Sequence, residues 1–182
     1  MTRGTRRLFG RDPLAHPEPL IRRVYAYVAY RLGDGPDAED VTSTVFENAV
    51  RYADSYDAAR GDPLPWLLGI ARRCIAQELV GREPAALQLR DESDGRDLEA
   101  ETVDRLTLRA ALQRLSDRDR ELIALRYGAD LRTRQIAELL GSTQNAVDVA
   151  VHRALARLRA ALEGEQAEPE AASALDPAER PV

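Results

Sequence analysis

Apolar residues recur along this chain at intervals of three and four, the period of helices buried on one side. Leu20, Val24, Val28 and Leu32 mark a first helix at i+4 spacing. The run LGDGPDAED then interrupts the period with Gly33, Gly35 and Pro36, and Asp37 has the side chain of an N-cap. Glu39 and Asp40 follow in the first turn of a second helix, where the helix dipole favours acids. Val41, Val45, Ala49 and Ala53 form its inward face, with Phe46 beside them. DSYDAARGDPLP reads as a loop. Pro63 and Pro65 open a third helix through WLLGIARRCIAQEL, with Leu67, Ile70, Ala71, Cys74 and Ile75 inward. The pattern therefore predicts a three-helix domain within residues 1–80.

Residues 81–104 have no period and many acids, and read as a flexible linker. The helical pattern resumes near Val103 with Leu106, Leu108, Leu112 and Leu115. Ser116 and Asp119 match a capping box ahead of RELIALRYG, which Gly128 ends. Thr133 is placed to cap the next helix, with Ile136, Ala137 and Leu140 inward. Gly141 supplies a tight turn and Ser142 a cap for the last helix. AVDVAV alternates like a strand. The helical run HRALARLRAAL that follows favours one helix, with Val147, Val151, Ala154 and Leu158 on its buried face. A second domain thus spans residues 105–162, and residues 163–182, rich in Pro, Ala and Glu, read as a disordered acidic tail. The expected fold is all-α, two small helical domains joined by a linker.

Composition sharpens this picture. At 182 residues, 44% hydrophobic and 31% charged, the chain can bury cores, and no apolar run approaches the roughly 18 residues of a membrane helix. The basic N-terminus lacks a continuous apolar segment and there is one cysteine, so a cytoplasmic protein without internal disulfides is expected. The net charge of −5 is unevenly spread: residues 105–162 carry 11 basic and 6 acidic side chains, residues 81–104 carry 3 and 8, and residues 163–182 carry 1 and 6. All 26 basic residues are arginine, which a GC-rich genome explains, although the planar guanidinium also suits phosphates and guanine edges.

Catalysis finds little support. His16 and His152 have no neighbouring ligand partners, Cys74 lies on an apolar face, and no phosphate-binding loop occurs. No enzyme activity, metal or cofactor is expected. The stretch from Arg132 to Leu162 carries more: two helices about a tight turn, the layout in which a second helix enters the major groove. Its first residues, Thr143, Gln144 and Asn145, would reach base edges, and both carboxamides suit adenine. Asp148 and His152 share the outward face, Arg153 adjoins them, and Arg132 and Arg134 are placed to grip phosphates. A plain helical hairpin with a solvated face is the competing reading of this stretch taken alone.

LGDGPDAEDVTSTVFENAV with WLLGIARRCIAQEL, followed by ALQRLSDRDRELIALRYGADLRTRQIAELLGSTQNAVDVAVHRALARLRAAL, resembles bacterial RNA polymerase sigma factors of the extracytoplasmic-function type. These keep only regions two and four. The resemblance implies that Asp37, Glu39, Asp40, Val41 and Phe46 dock on the β′ clamp of core polymerase. It implies that Trp66, Arg72 and Arg73, with Tyr56 and Arg60 of the preceding loop, melt and read the minus-ten element as single strand. Region four would read the minus-thirty-five element as duplex beside the β flap, and an anti-sigma factor is a further partner that the resemblance admits. The chain departs from the family pattern at Ser43 and Thr44, at Arg73, at Val80 and Gly81, and at Asp148 and Ala150, where the family commonly carries basic residues on the recognition helix. A helix-turn-helix regulator, or a sigma-like protein without promoter-melting activity, stays open at this point.

Overall fold

A computed structural model describes residues 12–80 and 99–173. They form seven α-helices with no strand among the described residues, as the all-α reading expects, and divide into two compact units.

The first unit is built from α1 (Pro17–Leu32), α2 (Pro36–Arg51) and α3 (Leu64–Val80), each packed on the other two. Val24, Tyr27, Val28 and Leu32 of α1 meet Val41, Val45 and Ala49 of α2 and Leu64, Leu67, Leu68, Ala71 and Ile75 of α3, all buried. Each large aliphatic among them contributes about 1.5–3 kcal/mol by leaving water. Proline at the first turn of α1 and of α2 loses nothing, because the N–H it lacks would have had no partner there. The expected cap of α2 is displaced. Gly35, at φ +128°, is the N-cap, and Asp37 sits inside the first turn. Pro36 fixes the register, since its ring angle already suits a first helical position. Tyr25 donates to the Asp34 carboxylate across the α1–α2 loop. The first unit also takes in Tyr127–Leu131, where Arg23 donates to the carbonyls of Ala129 (2.8 Å) and Asp130 (2.9 Å).

The second unit packs α4 (Glu99–Gln113), α5 (Asp117–Ile123) and α6 (Thr133–Leu140) against α7 (Gln144–Ser173). Ser116 caps α5 as expected, its Oγ accepting from the Asp119 N–H at 3.2 Å. The return half of the box differs: the Asp119 carboxylate accepts from the Ser116 hydroxyl (2.8 Å) and from Arg157 of α7 (2.9 and 3.0 Å). Arg120 reaches back to the carbonyls of Leu112, Gln113 and Leu115, each at 3.1 Å, satisfying acceptors left open where α4 ends. α5 runs on into a single π-helical turn, Ala124–Gly128. α4 starts at Glu99, inside the stretch read as linker. α7 extends to Ser173, so the beginning of the stretch expected to be disordered is helical, consistent with the helix propensity of its Glu, Gln and Ala residues. Residues 81–98 of the linker and 174–182 of the tail lie outside the described residues.

Candidate functional site

Three exposed places carry the residues singled out from the sequence. The first is the start of α2. Ala38, Val41, Thr42, Val45 and Ala49 face the core, which turns Asp37, Glu39 and Asp40 outward on the opposite side. These acids are exposed beside the positive end of the helix dipole, which stabilises their charge. Val41 is only 5% exposed, so it belongs to the core beneath the acidic face and not to that face; the i+4 pattern that marks it as apolar leaves no surface for a partner to touch. Phe46 is half-buried.

The second place is the loop between α2 and the start of α3. Two 3₁₀ turns, Ala53–Ser55 and Ala58–Arg60, fold it tightly. The rings of Tyr56 and Trp66 lie 5.5 Å apart and are tilted by 54°, within the range of favourable aromatic pairs. Trp66 Nε1 donates to Ser55 Oγ at 3.3 Å, and the Tyr56 hydroxyl donates to the Gly61 carbonyl at 2.5 Å. Asp57 and Asp62 accept from the N–H groups of Ala59 and Leu64, both at 3.0 Å, the second bond closing the N-terminus of α3. Both rings stay half-buried, held by their edges with surface left to stack. Sequence reading brings Tyr56 and Trp66 together; it does not find Ser55, whose hydroxyl fixes the indole. Arg60 belongs to the second 3₁₀ turn, and its side chain lies outside the described residues. Arg72 and Arg73 are exposed about two turns further along α3, with Arg73 Nε donating to the Gly69 carbonyl at 3.2 Å. Cys74 is buried beneath them and accepts a hydrogen bond from Asn48, the environment of a structural thiol.

The third place is the helix-turn-helix of α6 and α7. Ile136 and Ala137 hold α6 inward. Gly141 lies in the left-handed region at φ 63° and ψ 37°, and the N–H of Ser142 bonds the Ala137 carbonyl at 2.8 Å. This is the turn that glycine permits at little strain. Both expected caps move by one residue. α6 begins at Thr133, so Arg132 is its cap position, and Gln135 Oε1 accepts from the Arg132 N–H at 2.9 Å. α7 begins at Gln144, and Thr143, not Ser142, accepts from the Ala146 N–H at 3.2 Å. Thr143 thus commits its hydroxyl to the helix, while Gln144 and Asn145 present exposed carboxamides. Arg134 pairs with Glu138 at 3.0 Å, an exposed contact of small worth that the guanidinium can leave for a phosphate. Arg132, Asp148, His152 and Arg153 are exposed.

Val147 (3% exposed) and Ala154 (0%) fix the rotation of α7. At about 100° per residue, Asn145, Val149 and His152 point most directly away from this seam, and Gln144 and Asp148 fall on its flank. Val149 is 43% exposed and was not singled out from the sequence. Its place was legible once the seam was drawn on a helical wheel, but an alternating valine next to other valines reads as core. His16 is exposed ahead of α1, and no group of three His, Cys, Asp or Glu suited to a metal occurs among the described residues. Nor is any described helix long and apolar enough to cross a membrane.

Residues 18–83 match the family model for sigma-70 region 2, and residues 105–158 match that for sigma-70 region 4. The ECF RNA polymerase sigma factor SigK of Mycobacterium ulcerans is 31% identical over 152 residues, covering 78% of this chain and 80% of that protein. The ECF RNA polymerase sigma factor BldN of Streptomyces coelicolor is 28% identical over 143 residues, 74% of this chain but 54% of that protein, so this chain spans about half of that relative's length. Among solved structures, the sigma factor RpoE of Bartonella quintana, in complex with the anti-sigma factor NepR, shares the fold with a TM-score of 0.62 at 21% identity, over 79% of this chain and 92% of that one.

Proposed function

Because this chain belongs to the ECF RNA polymerase sigma factors, we propose that it binds core RNA polymerase and directs initiation at specific promoters. The observation that carries this reading is the pairing of two modules in one chain: an acid-faced helix beside an aromatic loop in one, a helix-turn-helix with an open recognition face in the other. Asp37, Glu39 and Asp40, backed by Val41 and Phe46, meet the β′ clamp. Tyr56 and Trp66 stack bases of the melted minus-ten strand, and Arg60, Arg72 and Arg73 neutralise its phosphates. Arg132 and Arg134 hold the duplex backbone while the start of α7 enters the major groove of the minus-thirty-five element beside the β flap. The protein catalyses nothing itself; it acts with polymerase in the cytoplasm. An anti-sigma factor is a further partner, an assignment supported by the shared fold of RpoE, which was solved with NepR.

Run-off transcription with purified core polymerase on a library of promoter fragments tests the proposal. Transcripts with discrete start sites that depend on this chain are expected. A chain that binds core polymerase firmly yet starts transcription nowhere would instead be a sigma-like regulator without promoter-melting activity.

A further inference from the structure

We infer that Val149 reads the 5-methyl group of a thymine in the major groove, and so sets the sequence preference of the upstream promoter element. This rests on the reading of α7 as a recognition helix. Val147 and Ala154 are buried at 3% and 0% exposure, with Val151 and Leu158 half-buried along the same seam. Two residues on from Val147 is a rotation of about 200°, which carries Val149 to the side opposite that seam. It is the large apolar side chain on the outward face of the first two turns, and 43% of it is exposed.

A single exposed valine needs no explanation on an arbitrary surface. Here its surroundings supply one. The outward N-terminal turns of such a helix are the part that meets base edges. Of the groups that base pairs present in the major groove, the thymine methyl is the apolar one. Burying it against valine excludes water from both, whereas cytosine lacks the methyl and sets its N4 amino group beside that position, and guanine presents N7 and O6. The β-branched side chain holds essentially one rotamer in a helix, so little freedom is lost on contact. Asn145, one turn earlier on the same face and exposed, has the carboxamide that pairs bidentately with adenine. Arg153, one turn later, is exposed and cationic where the face approaches the backbone. An amide, an isopropyl group and a guanidinium in a row fit a duplex element containing A·T pairs at its centre.

The test uses the holoenzyme formed with core polymerase. A duplex library randomised in the upstream element is selected for binding, and each thymine of the selected element is then replaced singly by deoxyuridine, which removes only the methyl group. One replacement is expected to weaken binding about fourfold, the equivalent of one buried methyl-sized group. V149A, an exposed change to a better helix former, should bind thymine and deoxyuridine duplexes equally. If no replacement affects the wild type, or if V149A still discriminates, Val149 is not the reader. If no element is selected at all, the promoter reading falls, and the role of Val149 falls with it.

Discussion

Asp148 places a carboxylate on the proposed recognition helix, at a position where the resembling family commonly has a basic residue. It is exposed on the flank of α7 beside Gln144, away from the outward centre, where on the proposed reading it would lie toward the phosphates. Asp148→Arg is therefore expected to strengthen holoenzyme binding to many promoters alike and to steepen the dependence of log affinity on log salt by about one unit. Affinities for a cognate and a base-substituted promoter at two salt concentrations check this; a loss confined to one base pair would show that Asp148 reads cytosine. A second residue-scale expectation concerns Tyr56, which is tied to Gly61 and leans on Trp66. Tyr56→Ala removes a stacking surface worth about 1–3 kcal/mol per base. It should slow open-complex formation by on the order of tenfold or more, leaving the thermal transition of the protein near that of wild type. Permanganate footprints read the melted thymines directly, and unchanged footprints would take Tyr56 out of the melting site.

At the scale of elements, the second unit depends on how α5 is fastened to α7. Asp119 is 8% exposed, and its one carboxylate accepts from both the Ser116 hydroxyl that caps α5 and Arg157 of α7. Asp119→Ala should cost about 2 kcal/mol, because it removes charge-assisted bonds from a mostly buried site. Differential scanning calorimetry of the wild type and variant measures it; a change within about 0.5 kcal/mol would mean that water replaces the carboxylate at no loss. In the first unit, the loop joining α1 to α2 is pinned by Tyr25. Burial, then the hydrogen bond from Tyr25 to Asp34 and the charge of that carboxylate, push its phenol up to about 12. The proton is thus held more tightly in the folded state than in the unfolded chain, where it leaves at about 10. The stabilisation is complete below about pH 10 and is lost as pH rises through 12. The difference in urea midpoint between the wild type and Tyr25→Phe should accordingly shrink between about pH 8 and about pH 11.5. A gap that stays constant would show that this proton is not linked to folding.

For the whole molecule, the proposed clamp-docking acids and the proposed base-reading residues are different side chains, so polymerase attachment and promoter choice should be separable by mutation. Reversing charge at Glu39 and Asp40 together should weaken core binding by on the order of tenfold or more, since like charges at a polar rim are costly. Circular dichroism should stay that of wild type, because both side chains are exposed at the helix start. Normal recovery of core polymerase in a pull-down would remove this helix from the docking site. The sequence by itself determined which helices form, most of the faces they bury and the family, because a period of 3.6 and the motifs DAED, WLLGIAR and the Gly141 turn are local and chemically specific; Ala53, read as inward on the second helix, instead falls in the 3₁₀ turn after α2 ends at Arg51. The sequence placed Tyr56 in the loop just ahead of the helix that carries Trp66, and the carboxamides at the head of α7, for the same reason. The caps at Gly35, Arg132 and Thr143 were each off by one or two positions, since several neighbouring polar residues can cap and backbone geometry selects one. Tertiary structure alone decided that Ser55 holds the indole of Trp66 and that the carboxylate of Asp119 turns to Arg157 of α7. For Val149 the seam through Val147, Val151, Ala154 and Leu158 already implied an outward position, and the packing made it definite at 43% exposure, because a valine reads as core until the filled side of its helix is known.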